Sequence, residues 1–131
     1  MPTTLTPTLT LQDSTTFSDE INFSVTDSLA VTAPSQSLST VIAPASGVVE
    51  IVAASTAIVY LFVRHTGTTN GTTGTAVLVD VEESGGAGFA RLGAGEWMFM
   101  PFNHHTGSVS IQLHAQAASV VQLEYAYWTK N

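Results

Sequence analysis

The chain has no cysteine, which removes disulfides, thiolate metal centres and cysteine nucleophiles at once and leaves the redox compartment open. Charge is nearly as scarce: 10% of the 131 residues are Asp, Glu, Lys or Arg, against about 25% in ordinary soluble domains. Cations are rarest of all. Arg64, Arg91 and Lys130 stand against ten carboxylates, for a formal net charge of −7. No basic patch for a phosphate backbone can be assembled from them, so nucleic acid is not an expected partner. Long apolar runs are missing too. The longest, AIVYLFV from Ala57 to Val63, is far too short to cross a bilayer. The opening MPTTLTPTLTLQD lacks the basic and apolar regions of a secretion signal, so a soluble product without membrane contact is expected. The i, i+3, i+4, i+7 pattern of an amphipathic helix is absent as well, and helices are not expected.

What fills the gap is Thr and Ser beside an apolar content of 44%. Thr is β-branched and polar, which suits the wet face of a sheet. The length fits one domain with one core. Short apolar segments recur between Gly, Pro and Asn, and this reads as an all-β, antiparallel β-sandwich or jelly-roll spanning 21–131. Ahead of it, residues 1–20 read as an extended N-terminal arm. There Thr alternates with Leu5, Leu9 and Leu11, while Pro2 and Pro7 lack the donor a sheet interior needs. Such an arm either lies on its own domain or reaches onto a neighbour. Leu5, Leu9, Leu11 and Phe17, with Trp128 near the C-terminus, are the residues expected to make partner contacts.

The sandwich strands are expected as follows. INFSVTD alternates with period two, Ile21, Phe23 and Val25 on one face, as a half-buried strand does. Two short strands are expected at Leu29–Thr32 and Ser37–Ala43, then VVEIVAA. AIVYLFVRHTG is apolar on both faces, as in a central strand. Asn70-Gly71 within TGTTNGTTG is a hairpin signal. TAVLVDVEE, FARL and WMFMPF follow. In WMFMPF, Trp97 and Phe99 share one face, and Met98, Met100 and Phe102 the other. SVSIQLHAQA places Val109, Ile111, Leu113 and Ala115 inward and Ser110, Gln112 and His114 outward. SVVQLEYAYWTK closes the chain. Glu96 follows the turn glycines Gly93 and Gly95, where a carboxylate can accept hydrogen bonds from the turn's amides.

Chemistry-bearing clusters are thin. His65, a loop residue by this reading, His114, and the adjacent pair His104-His105 show none of the metal-binding spacings. PFNHH resembles the second motif of cupin barrels, but the H-x-H…E motif that supplies their other ligands is missing. Asp80, Glu82 and Glu83 lack the order of a calcium loop and read as a solvated strand end. Glu96 and Glu124 have nothing to bring them together as a hydrolytic pair. No nucleophile setting such as G-x-S-x-G occurs. No catalytic, cofactor-binding or metal-ligating residue is assigned, no cofactor is expected, and the chain is not read as an enzyme. The rings of Trp97 with Phe99, and of Tyr125 with Tyr127, read as core, the alternative being a row of planar rings that stack on sugars.

The order YLFVRHTG, TAVLVDV, FARLGAGEWMFMPF and VSIQLHAQAASVVQLEYAYWTK resembles small β-sandwich virion proteins of tailed bacteriophages. Their pattern Y-L-x-N-T, L-x-x-G-E-x-x-x-x-P and V-x-x-E-Y matches here at Tyr60, Leu61, Leu92, Gly95, Glu96, Pro101, Glu124 and Tyr125. His65-Thr66 stands where N-T is usual. The likeness covers Ile58 to Lys130, and its motifs are structural. It implies a capsid decoration (cement) protein on the virion surface, contacting the major capsid protein as a homo-oligomer, a trimer or else a dimer. A head-fibre or tail component that binds a glycan or receptor is the alternative it implies. No catalytic residue carries over.

Overall fold

The last eight strands pair in a nested series, the first of the eight with the last and so inward. The computed structural model describes residues 3–12, 22–86, 88–103 and 109–131. Among these there is no helix. The strands are β1 (Thr3–Leu5), β2 (Thr8–Gln12), β3 (Asn22–Thr26), β4 (Leu29–Ala43), β5 (Val49–Ser55), β6 (Val59–His65), β7 (Val79–Glu83), β8 (Gly88–Leu92), β9 (Trp97–Phe102), β10 (Val109–Ala115) and β11 (Val121–Lys130). β4 pairs with β11, β5 with β10, β6 with β9 and β7 with β8, all antiparallel. Side pairings of β11 with β6 and of β10 with β7 complete two sheets, β1-β4-β11-β6-β9 and β5-β10-β7-β8. One long hairpin rolled up in this way is a jelly-roll, so the fold is an all-β antiparallel sandwich.

Alternation decides which side chains enter the core. Val59, Leu61, Val63 and His65 of β6 are buried between the sheets. Their β9 partners are Phe102, Met100 and Met98, and their β11 partners include Tyr127, Tyr125 and Leu123. The facing sheet contributes Ile51, Val79, Val81, Ile111, Leu113 and Ala115. Leu61, Ile111, Leu113 and Leu123 have no exposed surface, and burying each such side chain contributes about 1.5–3 kcal/mol. Ile51 and Val52 are consecutive yet both buried, because a register shift where β5 meets β10 puts neighbours on the same side. Ser110 is buried as well. It shares the outward face of Gln112, where its oxygen accepts from Gln112 Nε2 (3.3 Å) and its amide donates to Ser84 Oγ (3.1 Å).

Other differences from the sequence reading have local causes. Leu29–Thr32 and Ser37–Ala43 are one strand, β4. Pro34 falls where the β4–β11 register shifts, and β1 pairs with β4 only from Leu29 to Val31, so the missing donor falls at an irregularity of the ladder and does not end the strand. Asn70-Gly71 closes a small hairpin-like turn within the loop, bridging Thr68 with Gly74 antiparallel, with Asn70 Oδ1 accepting from the Thr72 and Thr73 amides. It makes no β6–β7 hairpin, because β6 and β7 lie in different sheets and residues 66–78 cross between them. The TAVLVDVEE strand is accordingly shorter, starting at Val79. β3 is exposed throughout instead of half-buried, because it pairs only with β2, in a two-stranded sheet separate from the two of the sandwich.

Leu61→Ala is expected to lower unfolding free energy by about 2–5 kcal/mol, whereas Leu11→Ala, 44% exposed in β2, should change it by less than about 1 kcal/mol at low protein concentration. Urea titration of both variants checks the contrast.

Candidate functional site

Residues 3–12 and 22–31 form one ribbon, although it divides between two sheets. Leu5 pairs with Leu29 in β1–β4, and Thr8 with Thr26 in β2–β3. The same register therefore runs through the gap at Thr6-Pro7 and Asp27-Ser28. Pro7 has no amide to give, but its carbonyl accepts from the Asp27 amide (3.1 Å). Beyond this joint the two faces differ sharply. One is a polar ladder, with Thr8 to Thr26 hydroxyls 2.9 Å apart and Thr10 to Ser24 at 3.2 Å. The other pairs Leu9 with Val25 and Leu11 with Phe23, and these are 38%, 58%, 44% and 48% exposed.

The apolar ribbon face leans over the outer face of the larger sheet. Even-numbered residues of β6 and β11 and odd-numbered residues of β9 lie on that outer face. Cross-strand rows run Trp128, Tyr60, Pro101; then Ala126, Phe62, Phe99; then Glu124, Arg64, Trp97. Tyr60 and Phe99 stack, with centroids 6.2 Å apart and planes 8° from parallel. Val31, Tyr60 and Ala126 are buried yet stand outside the intersheet core, which means that the outer face has a cover of its own. The cover is incomplete. An apolar cleft of about 420 Å³ separates Leu9, Val25 and Leu29 from Tyr60, Phe99 and Pro101. A second, of about 240 Å³, runs on past Phe62 to Trp97, which is 54% exposed.

The residues expected to make contacts are therefore distributed unevenly. Leu9 and Leu11 lie on the exposed ribbon face, Leu5 is half-buried in β1, and Trp128 is half-buried on the outer face of β11. Phe17, like His104 and His105, lies outside the described residues. The aromatic rows divide: Tyr125 and Tyr127 pack on the core, as read from the sequence, but Trp97 and Phe99 sit on the outer face, against that reading. Sequence reasoning passed over Tyr60, Phe62 and Val25 as surface-forming residues. The available signal was that AIVYLFV is apolar on both faces, which demands two covers.

Polar groups elsewhere serve the fold. His65 is not in a loop; it ends β6 and is fully buried. Its Nδ1 accepts from the Gly67 amide (2.9 Å), so the proton sits on Nε2, which donates to the Val77 carbonyl (2.8 Å). Both nitrogens are thus used to pin the inter-sheet crossing, leaving no lone pair for a metal. Glu96 accepts from the Gly93 amide (2.6 Å), the role expected of a carboxylate after this turn. Asp80 takes Arg91 in a two-pronged pair (2.6 and 3.0 Å) and a Gln116 amide besides. The Arg91 hydrogen bonds hold the Asp80 carboxyl below its ordinary value, with Coulombic help from Arg91 and His114. Among the described residues no group of three or more His, Asp or Glu is placed to hold a metal ion.

No family model, curated protein or solved structure matches the chain.

A carboxyl with a depressed folded pKa adds stability that is full above its unfolded pKa and vanishes as pH falls through the folded value. The melting temperature of Asp80→Asn should therefore lie below that of the parent at neutral pH, and the gap should shrink as pH falls below the ordinary carboxylate range of about 4. Calorimetric melts across that range check it. His65→Leu, which strands the Gly67 amide and the Val77 carbonyl, is expected to cost about 2–4 kcal/mol, read by urea titration.

Proposed function

We propose that the protein is a bacteriophage virion structural protein, a capsid decoration protein that binds and stabilises the shell lattice. In this reading it works as a homo-oligomer on the capsid surface, in contact with the major capsid protein, and performs no catalysis. One observation carries the reading: the apolar face of the ribbon, with Leu9, Leu11, Phe23 and Val25 uncovered. A two-stranded ribbon is marginally stable by itself in water, and a large apolar patch on an otherwise hydroxyl-rich surface marks an interaction site. The low-charge exterior favours the same role, since little solvation is lost when it is packed against a shell. Jelly-rolls occur in viral capsid domains, lectins and cupins; the fold admits the role without assigning it.

The mechanism is mechanical. Each copy bridges neighbouring shell subunits, and many weak bridges act together because each holds the next partner at high effective concentration. Binding then opposes shell expansion without any bond being made or broken.

Trp97, beside Phe99 and Phe62 on an open face, favours a second reading, a fibre or tail module that stacks sugar rings on aromatic planes. Co-sedimentation with empty phage shells separates the two. The decoration reading expects saturable binding and shells that withstand heat and low salt better when coated. Shells equally robust without the protein would remove it. Binding of a glycan array that Trp97→Ala abolishes would put the second reading in its place.

A further inference from the structure

The wedge between ribbon and sheet raises the question of what fills it. In the single chain the ribbon is tethered to β1 and β4 through the two-residue joints Thr6-Pro7 and Asp27-Ser28. A tether that short restrains the ribbon beside its own sheet, and clefts of about 420 and 240 Å³ remain between its apolar face and the aromatic rows. A ribbon arriving from another molecule is free of that restraint and can lie flat. The surface it would meet is the one its residues already face in its own chain: Tyr60, Phe62, Trp97 and Phe99. We infer that the ribbon is exchanged between copies of this chain, each copy's residues 8–12 and 22–26 lying on the outer aromatic face of its neighbour.

Three observations support a second copy over any other occupant. The joint is built to swing as a unit. Register is the same on both sides of it, so the ribbon can straighten while every pair on either side is kept. The proline that interrupts it removes a ladder donor at the hinge. The receiving face and the ribbon are matched in kind, both apolar, with the opposite charges of Asp27 and Lys130 lining the same cleft. The area is also sufficient. Leu9, Leu11, Phe23, Val25 and Trp97, at their fractional exposures, leave on the order of 500 Å² uncovered, within the roughly 300–600 Å² of a monomer's largest apolar patch. Burying two such patches reciprocally removes about 1,000 Å², and with apolar atoms at about 65% of a homodimer interface this corresponds to about 1,600 Å² in total, the standard size. Exchange of an identical element is also a low-cost route to a closed oligomer.

The inference deepens the building-block reading by naming the ribbon's partner, but its test is independent of any shell. Because the chain has no cysteine, single thiols report unambiguously. Leu9→Cys and Phe99→Cys are made in separate full-length chains of different tag mass, mixed under refolding conditions and oxidised. Exchange predicts a covalent pair containing one chain of each kind, and covalent multimers when both substitutions share a chain. Closure within single chains only, with no mixed pair, overturns it. As a second measurement, Phe23→Asp with Val25→Asp, both exposed in the single chain, should weaken self-association on the order of 100-fold by light scattering with the far-ultraviolet spectrum of the body preserved. A parent that stays monomeric at high concentration, or a variant whose assembly is unchanged, also overturns it. Mixed pairs from a protein that ignores shells leave exchange standing and remove the decoration role. A monomer with a self-folded ribbon that still coats shells does the reverse.

Discussion

A strand sandwiched between two apolar faces needs two covers, and a two-layer fold supplies one. That constraint falls on β6 and its neighbours β9 and β11. Their inward residues, Leu61, Val63 and Leu123 among them, meet the smaller sheet and form the core. Their outward residues include Tyr60, Phe62, Phe99 and Trp128, whose exposure to water would be unfavourable by roughly the same amount per unit area. The ribbon is the structure's answer, and it is a partial one. Tyr60 is covered; Trp97 is left open. Much else follows from this arrangement: why the N-terminal segment alternates Thr with Leu, why its apolar side faces the sheet, and why its contacts stop short of filling the space.

The jelly-roll below it is closed by its own strand pairing. Nested antiparallel pairs bring the two ends of residues 29–130 into neighbouring strands, and the crossing loop at 66–78 is pinned by His65, Thr66 and Asn70 through hydrogen bonds to backbone groups. Several of its polar side chains are committed to such structural bonds, as Glu96 is at the turn before β9 and Asp80 is with Arg91. What remains available for function is the outer surface, and the most distinctive part of that surface is apolar.

The strands of the sandwich were legible because period-two alternation and Gly or Pro punctuation are local signals. SVSIQLHA put Ile111, Leu113 and Ala115 inward, and WMFMPF divided its side chains correctly between two faces, for that reason. Topology was less accessible: nothing in TGTTNGTTG reveals that the chain changes sheets there, since a turn signal reports geometry and not destination. The candidate surface was half visible. The contact role expected of Leu9 and Leu11 suits their place on the ribbon, but INFSVTD reads as a half-buried strand because Phe23 and Val25 alternate as buried residues do. Alternation records that a face is meant to be covered and is silent on which molecule covers it. The same ambiguity sent Trp97 and Phe99 to the core in the sequence reading, whereas the register with Arg64 and Phe62 places them outside.

The central claim is that the ribbon completes its burial on another chain. Amide hydrogen exchange across protein concentration tests this most directly, because it reads residues 8–12 and 22–26 separately from the sandwich. The account predicts slow exchange in these segments at high concentration, giving way to fast exchange on dilution while the amides of β6 and β10 stay protected at both. Ribbon amides that exchange at one rate whatever the concentration, fast or slow, would contradict it.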